Sequence, residues 1–111
     1  MVTKEYIEKL IAKNNAQLKK YKDNLEENYL HHFEWVAEKI FKLEWKNKTL
    51  NDILVLFDDE NVNVENAVGN LKERFKNTLL TLPLMKSSTN PIANLTSLWI
   101  SECKQEIIEE L

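Results

Sequence analysis

Apolar side chains recur every three to four residues along most of the chain, which is the period of an amphipathic α-helix. In residues 4–22 the positions that share this spacing are Ile7, Leu10, Ile11, Leu18 and Tyr21. In residues 29–43 they are Tyr29, Phe33, Val36, Ala37 and Ile40. The pattern predicts two helices, each with one face buried against the rest of the protein.

The two apolar faces do not form one continuous stripe. At ~100° per residue the second face is rotated forward by roughly 90°, whereas a coiled-coil stripe drifts backward by ~20° per heptad. We therefore predict a break near Asp23, which would cap the second helix with Glu26 or Glu27 in the capping-box position. Because no Gly or Pro lies there to enforce a turn, one bent helix is the alternative interpretation.

A short helix is predicted after the second one. Thr49 is a suitable N-cap, and Asp52 stands three residues later in the capping-box position. The run "ILVLF" at residues 53–57 is apolar on all sides, so it suits a short buried helix. A lone strand is the less favoured alternative, because no second β-like run could pair with it.

Two longer helices complete the predicted elements. Asn63 is expected to cap a helix that ends before Pro83, and Asn90 and Pro91 are expected to begin the last helix. The inward positions of these helices are Val64, Val68, Leu71, Phe75, Leu79 and Leu82 in the first, and Ile92, Leu95, Trp99 and Cys103 in the second. Four main helices plus one short helix predict an all-α, single-domain antiparallel helical bundle over residues 1–111.

Charge is distributed unevenly along the chain, whose net charge is −3. Residues 1–22 contain six Lys and two Glu, whereas the remaining residues contain nine basic and sixteen acidic side chains. An acidic body suits a small protein that binds a basic partner. The charged first residues and the absence of a long apolar run predict a cytoplasmic protein that makes no membrane contact.

The stretch "ENYLHHFEWVAE" places Glu27, His31, Glu34 and Glu38 at helical spacings of four, three and four. These side chains point away from the apolar face of their helix, whereas a metal site in a bundle needs inward-facing ligands from several helices. We interpret them as a solvated face that includes a Glu38–Lys42 pair. No metal or cofactor is predicted, and a metal-carboxylate bundle is a less favoured alternative.

Catalytic chemistry has little support in the sequence. Cys103 is the only cysteine and lies on an apolar face, where inert packing is the usual outcome. His32 stands at the edge of its helix's apolar face, which favours a partly buried, hydrogen-bonded role. With one Gly in the chain, a phosphate-binding glycine loop is implausible, and we predict that the protein is not an enzyme.

Lysines on the first helix form a candidate basic patch, which consists of Lys13, Lys19, Lys20 and Lys22. A basic stripe is typical of contacts to nucleic-acid phosphates. However, Glu5 and Glu8 interrupt this face, and the only Arg in the chain is Arg74. A helical subunit of a nucleoprotein assembly is therefore the alternative function.

Aromatic side chains give the second helix more apolar surface than one neighbouring helix would cover. Trp35, Phe41 and Trp45 flank its main apolar face and form a candidate interface. The favoured explanation of this surface is a central helix packed on two sides within the monomer, and the interface is the alternative. We expect a protein that acts by association, as an inhibitor, an immunity-type protein or an accessory subunit, with another protein or a second copy of itself as partner.

Overall fold

The computed structural model describes the backbone of residues 2–81 and 91–111, and their side chains except those of residues 24–34, 80, 81 and 91–94. The described residues form helices and their connections, without a strand. The helices are α1 (Lys4–Leu56), α2 (Val64–Thr81) and α3 (Pro91–Glu110). The predicted all-α class is confirmed. No helix in this part of the chain combines the length and the apolar character needed to cross a bilayer.

Helix α1 is far too long to be straight. Its 53 residues would extend about 80 Å as a straight helix, whereas the longest dimension of the molecule is 48 Å. Its first part, residues 4–23, lies against its last part, residues 35–56, and we call these the N-terminal arm and the C-terminal arm. The helix is assigned without interruption through Asp23, so the predicted break is replaced by the bent-helix alternative.

Polar contacts between the two arms run in opposite order along the chain. At one end, a salt bridge joins Lys4 to Asp58, which directly follows the C-terminal arm. Nearer the middle of α1, a second salt bridge joins Lys22 to Glu44. Between these, the Asn14 Nδ2 group donates to Asn47 Oδ1 at 3.0 Å, although both residues are buried. Buried amides that bond each other hold the arms at one relative position, because sliding would leave them unpaired.

The predictions about helix ends have different outcomes. Asn63 caps α2 as expected, because its side-chain oxygen accepts the Asn66 backbone N–H at 3.1 Å. Pro91 is the first residue of α3 as expected. Thr49 does not cap a separate short helix, since its hydroxyl donates to the Trp45 carbonyl inside α1. The predicted N-cap at Asn90 and the stop at Pro83 lie outside the described residues.

The main apolar core joins the start and end of α1 to α2 and the end of α3. Its buried members are Ile7, Leu50, Ile53, Val68 and Ile107. Further along the molecule, the buried side chains of Leu18, Val36, Leu43 and Cys103 belong to the predicted inward faces or continue them. Leu71 and Phe75, which were expected deep in the core, pack against it but are only partly buried, because a groove separates this part of α2 from α1.

Candidate functional site

An open groove of about 440 Å³ lies between the C-terminal arm of α1 and the first part of α2. Its apolar floor consists of Trp45, Ile53, Leu56, Ala67, Leu71 and Phe75. Within each helix these positions are separated by three, four or eight residues, so they share the face that each helix turns to the other. The volume falls within the range of sites that bind small molecules or side-chain anchors.

Two aromatic rings form one end of this floor. The ring centres of Trp45 and Phe75 are 5.9 Å apart with an interplanar angle of 43°, which is a favourable tilted arrangement. Both side chains remain partly exposed, and so does Leu71. The groove therefore presents a preformed apolar surface to solvent.

Charged side chains surround the groove. Lys48, Asp52 and Arg74 line it and are exposed, and none of them forms a salt bridge with another described side chain. Lys104 of α3 approaches the same aromatic end, where its Nζ lies 5.5 Å from the centre of the Phe75 ring. Three cations and one carboxylate are thus available beside the apolar floor.

A second polar cluster joins the C-terminal arm of α1 to α3 but is already internally paired. Lys46 contacts Glu106 at 3.2 Å and Glu110 at 3.1 Å, and its side chain is largely buried. Lys42 pairs with Glu102 and, at 3.0 Å, with Glu38. The predicted Glu38–Lys42 pair is therefore present, and Glu102 of α3 joins it, so Lys42 is not simply solvated.

The charge of these lysines is stabilised by their partners. Burial by itself would lower the pKa of Lys46, but the hydrogen bonds and charges of Glu110 and Glu106 outweigh it, so the pKa is raised above its usual value. The pKa of Lys42 is raised in the same way: Glu102 and Glu38 outweigh the effect of burial. Each ammonium group is therefore shared by two carboxylates, which it holds together by charge and hydrogen bonds.

Cys103 is fully buried between these elements, as predicted. Burial, with a smaller contribution from Glu106, raises the pKa of its thiol to about 12. Its Sγ lies 3.6 Å from the Lys42 carbonyl, so the S–H group has a weak acceptor. A protonated thiol is a poor nucleophile, and this environment suits a structural cysteine.

The structure separates the three members of the candidate interface. Trp35 is 49% exposed and contacts Tyr21 edge to face, with ring centres 5.4 Å apart. Phe41 packs on Trp99 of α3 at the same distance. Trp45 lies in the groove. Each of the three rings thus has an aromatic partner within the monomer, and Phe41 and Trp45 are partly buried whereas Trp35 is exposed.

The members of the candidate basic patch are all exposed on the N-terminal arm. Lys22 forms a salt bridge of 3.1 Å with Glu44 of the other arm. Lys13, Lys19 and Lys20 make no salt bridge to the side chains that the structure describes. Lys22 thus contributes to the contact between the arms, and the other three lysines remain available to contact a binding partner.

The stripe considered for metal binding falls mostly outside the described side chains. Of the four members only the side chain of Glu38 is described. The side chain of His32, which was predicted to be partly buried, also lies outside the described part. Among the side chains that can be placed, no group of three or more His, Cys, Asp or Glu is arranged to hold a metal ion.

Sequence reasoning missed the groove because it assigned Leu71 and Phe75 to the interior. One signal was present: Arg74, the single arginine, lies between them in sequence at a position next to the apolar stripe.

No family model, curated protein or solved structure matches this chain.

Proposed function

We propose that this protein is a non-enzymatic binding protein that associates with another protein through the groove between α1 and α2. The observation that supports this most directly is the partly exposed floor formed by Trp45, Leu71 and Phe75, beside charges that form no salt bridge with a described side chain. Apolar pockets flanked by aromatic and Arg side chains are typical anchoring points of protein interfaces.

The proposed body is the antiparallel four-segment bundle predicted from the sequence, with the two arms of α1 as its first two segments. The reversed order of contacts between the arms supports this arrangement. A rigid bundle would keep the groove preformed, which reduces the entropy lost on binding. An inhibitor, an immunity-type protein or an accessory subunit would use such a surface.

The two alternative functions have weaker support. A nucleoprotein subunit would use Lys13, Lys19 and Lys20, but the patch lacks arginine and Lys22 is engaged by Glu44. A metal-carboxylate bundle would need unpaired inward carboxylates, whereas Glu106 and Glu110 contact the ammonium of Lys46. Association through the groove is therefore the leading proposal.

The test compares two substitutions on α2 that change the charge equally. Leu71→Glu places a carboxylate in the apolar floor, whereas Asn77→Glu places one on an exposed position of the same helix. We expect Leu71→Glu to weaken partner binding by about 2 kcal/mol or more, roughly thirtyfold, because it removes an apolar side chain from the floor and places a hydrated carboxylate where an apolar anchor of the partner would pack.

The measurement is quantitative affinity purification from the native cell, with circular dichroism and a thermal melt for each variant. A protein retained by the wild type and Asn77→Glu but lost by a folded Leu71→Glu supports the groove. Equal retention of the same proteins by all three would contradict it.

A further inference from the structure

Among the charged groups beside the groove, cations outnumber carboxylates, in contrast to the rest of the protein. The groove is lined by Lys48, Arg74 and one carboxylate, that of Asp52, and Lys104 lies over the Phe75 ring, whereas the chain as a whole has a net charge of −3. The sign of the charge beside the apolar floor is thus opposite to that of the molecule.

From this reversal we infer that the groove binds an amphipathic helix of a partner protein that carries carboxylates beside its apolar anchors. The inference rests on the proposed function, which it extends by specifying the chemistry of the partner. It also reverses the expectation from net charge, which favoured a basic partner.

The dimensions of the groove suit a short helix. The lining residues extend from Trp45 to Leu56 on α1 and from Ala67 to Phe75 on α2, which corresponds to about 16 Å and 12 Å along the two helices. A partner helix of about three turns has that length. It would present anchors at positions i, i+3 or i+4, and i+7, as in other helix-in-groove complexes.

The cations nearest the groove determine which charge on a partner helix is favoured, because salt screens the charges that lie farther away. At physiological ionic strength the screening length is about 8 Å, so a carboxylate at the rim interacts mainly with the nearest cations. Several acidic groups elsewhere are already paired with lysines, since Glu106 and Glu110 share Lys46 and Glu44 contacts Lys22. The acidic body therefore opposes an acidic helix weakly once the helix has reached the groove.

Arg74 and Lys48 are suited to this role because they are exposed and form no salt bridge with the side chains that the structure places. A carboxylate of the partner could pair with them without breaking an existing salt bridge. Lys104 already lies over the Phe75 ring, so it brings positive charge to the aromatic end of the groove.

The test uses two synthetic amphipathic peptides of about 14 residues, or four helical turns. They have the same Leu positions and differ only in that one carries Glu and the other Lys beside these anchors. Binding to the full chain is followed by the indole N–H signal of Trp45 in ¹H–¹⁵N correlation spectra. We expect the acidic peptide to bind at least ~tenfold more tightly than the basic peptide, because its charges complement the rim.

Two double variants provide the comparison. Lys48→Glu/Arg74→Glu should reverse the preference, whereas Lys13→Glu/Lys20→Glu makes the same charge change on the N-terminal arm and should retain it. Equal binding of both peptides to the wild type would overturn the inference but leave the groove as the docking site. Failure of both peptides to shift the Trp45 signal would contradict the inference and the proposed function together.

Other occupants would give different results. A Trp45 signal that changes with protein concentration in the absence of peptide, and no longer does so in Leu71→Glu, would show that a second copy occupies the groove. Saturable binding of dodecanoate at this signal without binding of the acidic peptide would indicate a site for small amphiphiles. Either result would overturn the inference.

Discussion

Individual buried polar groups in this protein are mostly satisfied by partners far away in sequence. Lys46, buried at 8% exposure, contacts carboxylates on α3 that are more than fifty residues distant. Because the pKa values of Lys42 and Lys46 are raised, their ion pairs stabilise the fold below about pH 10.5 and lose this effect as pH rises beyond it. Cys103 responds at lower pH, since an unfolded thiol ionises near 9.0.

Stability should therefore decrease in mildly alkaline solution because of Cys103. Between pH 9.0 and about 12 the folded thiol keeps a proton that the unfolded thiol releases, so the unfolded state is favoured as pH rises. The slope attributable to this group is at most about 1.4 kcal/mol per pH unit. Urea denaturation of the wild type and Cys103→Ala at pH 8 and pH 10.5 should show a larger loss for the wild type.

A thiol reagent provides an independent control. The folded protein at pH 8 should react with it far more slowly than the urea-unfolded protein, because the thiol is buried and protonated. Rapid labelling of the folded chain, or equal pH dependence in the wild type and Cys103→Ala, would mean that Cys103 is not held as described.

At the level of helices, the bent α1 is joined to itself by a buried amide contact. Asn47 accepts a hydrogen bond from Asn14 and donates one to Asn15 at 2.9 Å. Apolar packing between two helical arms tolerates small sliding motions, whereas a buried amide pair has one position in which its donors and acceptors match. The pair therefore specifies how the arms align.

Replacing one of the two paired asparagines should lower the free energy of unfolding more than replacing an exposed asparagine. Asn47→Ala leaves the Asn14 amide buried without its partner, and we expect the free energy of unfolding to fall by about 1 to 3 kcal/mol. The exposed control Asn77→Ala should change it by less than about 0.5 kcal/mol. A urea series with Asn14→Ala and the double variant measures the coupling; strictly additive losses would contradict a direct interaction.

At the scale of the whole molecule, the protein is more extended than a typical chain of its length. The Cα radius of gyration is 15.8 Å, compared with about 13 Å expected for 111 residues. An extended body exposes more of each helix, which accounts for the partly exposed groove and for Trp35 at 49% exposure. Such a molecule has ample surface for a partner without a second copy.

We therefore expect a monomer of 13.1 kDa in sedimentation equilibrium at micromolar concentration. Trp35→Ala should leave this mass unchanged and reduce stability by about 1 kcal/mol, because it removes one edge-to-face contact with Tyr21 from a half-exposed site. A wild-type dimer that dissociates in Trp35→Ala, with its helical circular dichroism intact, would instead place the self-association surface at Trp35.

Local patterning was sufficient to predict the helical class and many inward positions. The spacing of Ile7, Leu18 and Val36 identified buried positions, because helical periodicity is a property of each segment by itself. The cap at Asn63 and the start at Pro91 were predictable for the same reason, since capping depends on a few adjacent residues.

Tertiary structure decided which of several compatible arrangements the segments adopt. The sequence around Asp23 and Thr49 suits a cap as well as a helix interior, and the helix continues through both. Glu38 and Lys42 have the spacing of a solvated pair, yet Glu102 of α3 also contacts Lys42, which only the approach of the two helices decides. Leu71 and Phe75 follow the inward spacing of α2, but their exposure depends on how closely α1 approaches. The distance between two helices cannot be derived from the periodicity within one of them.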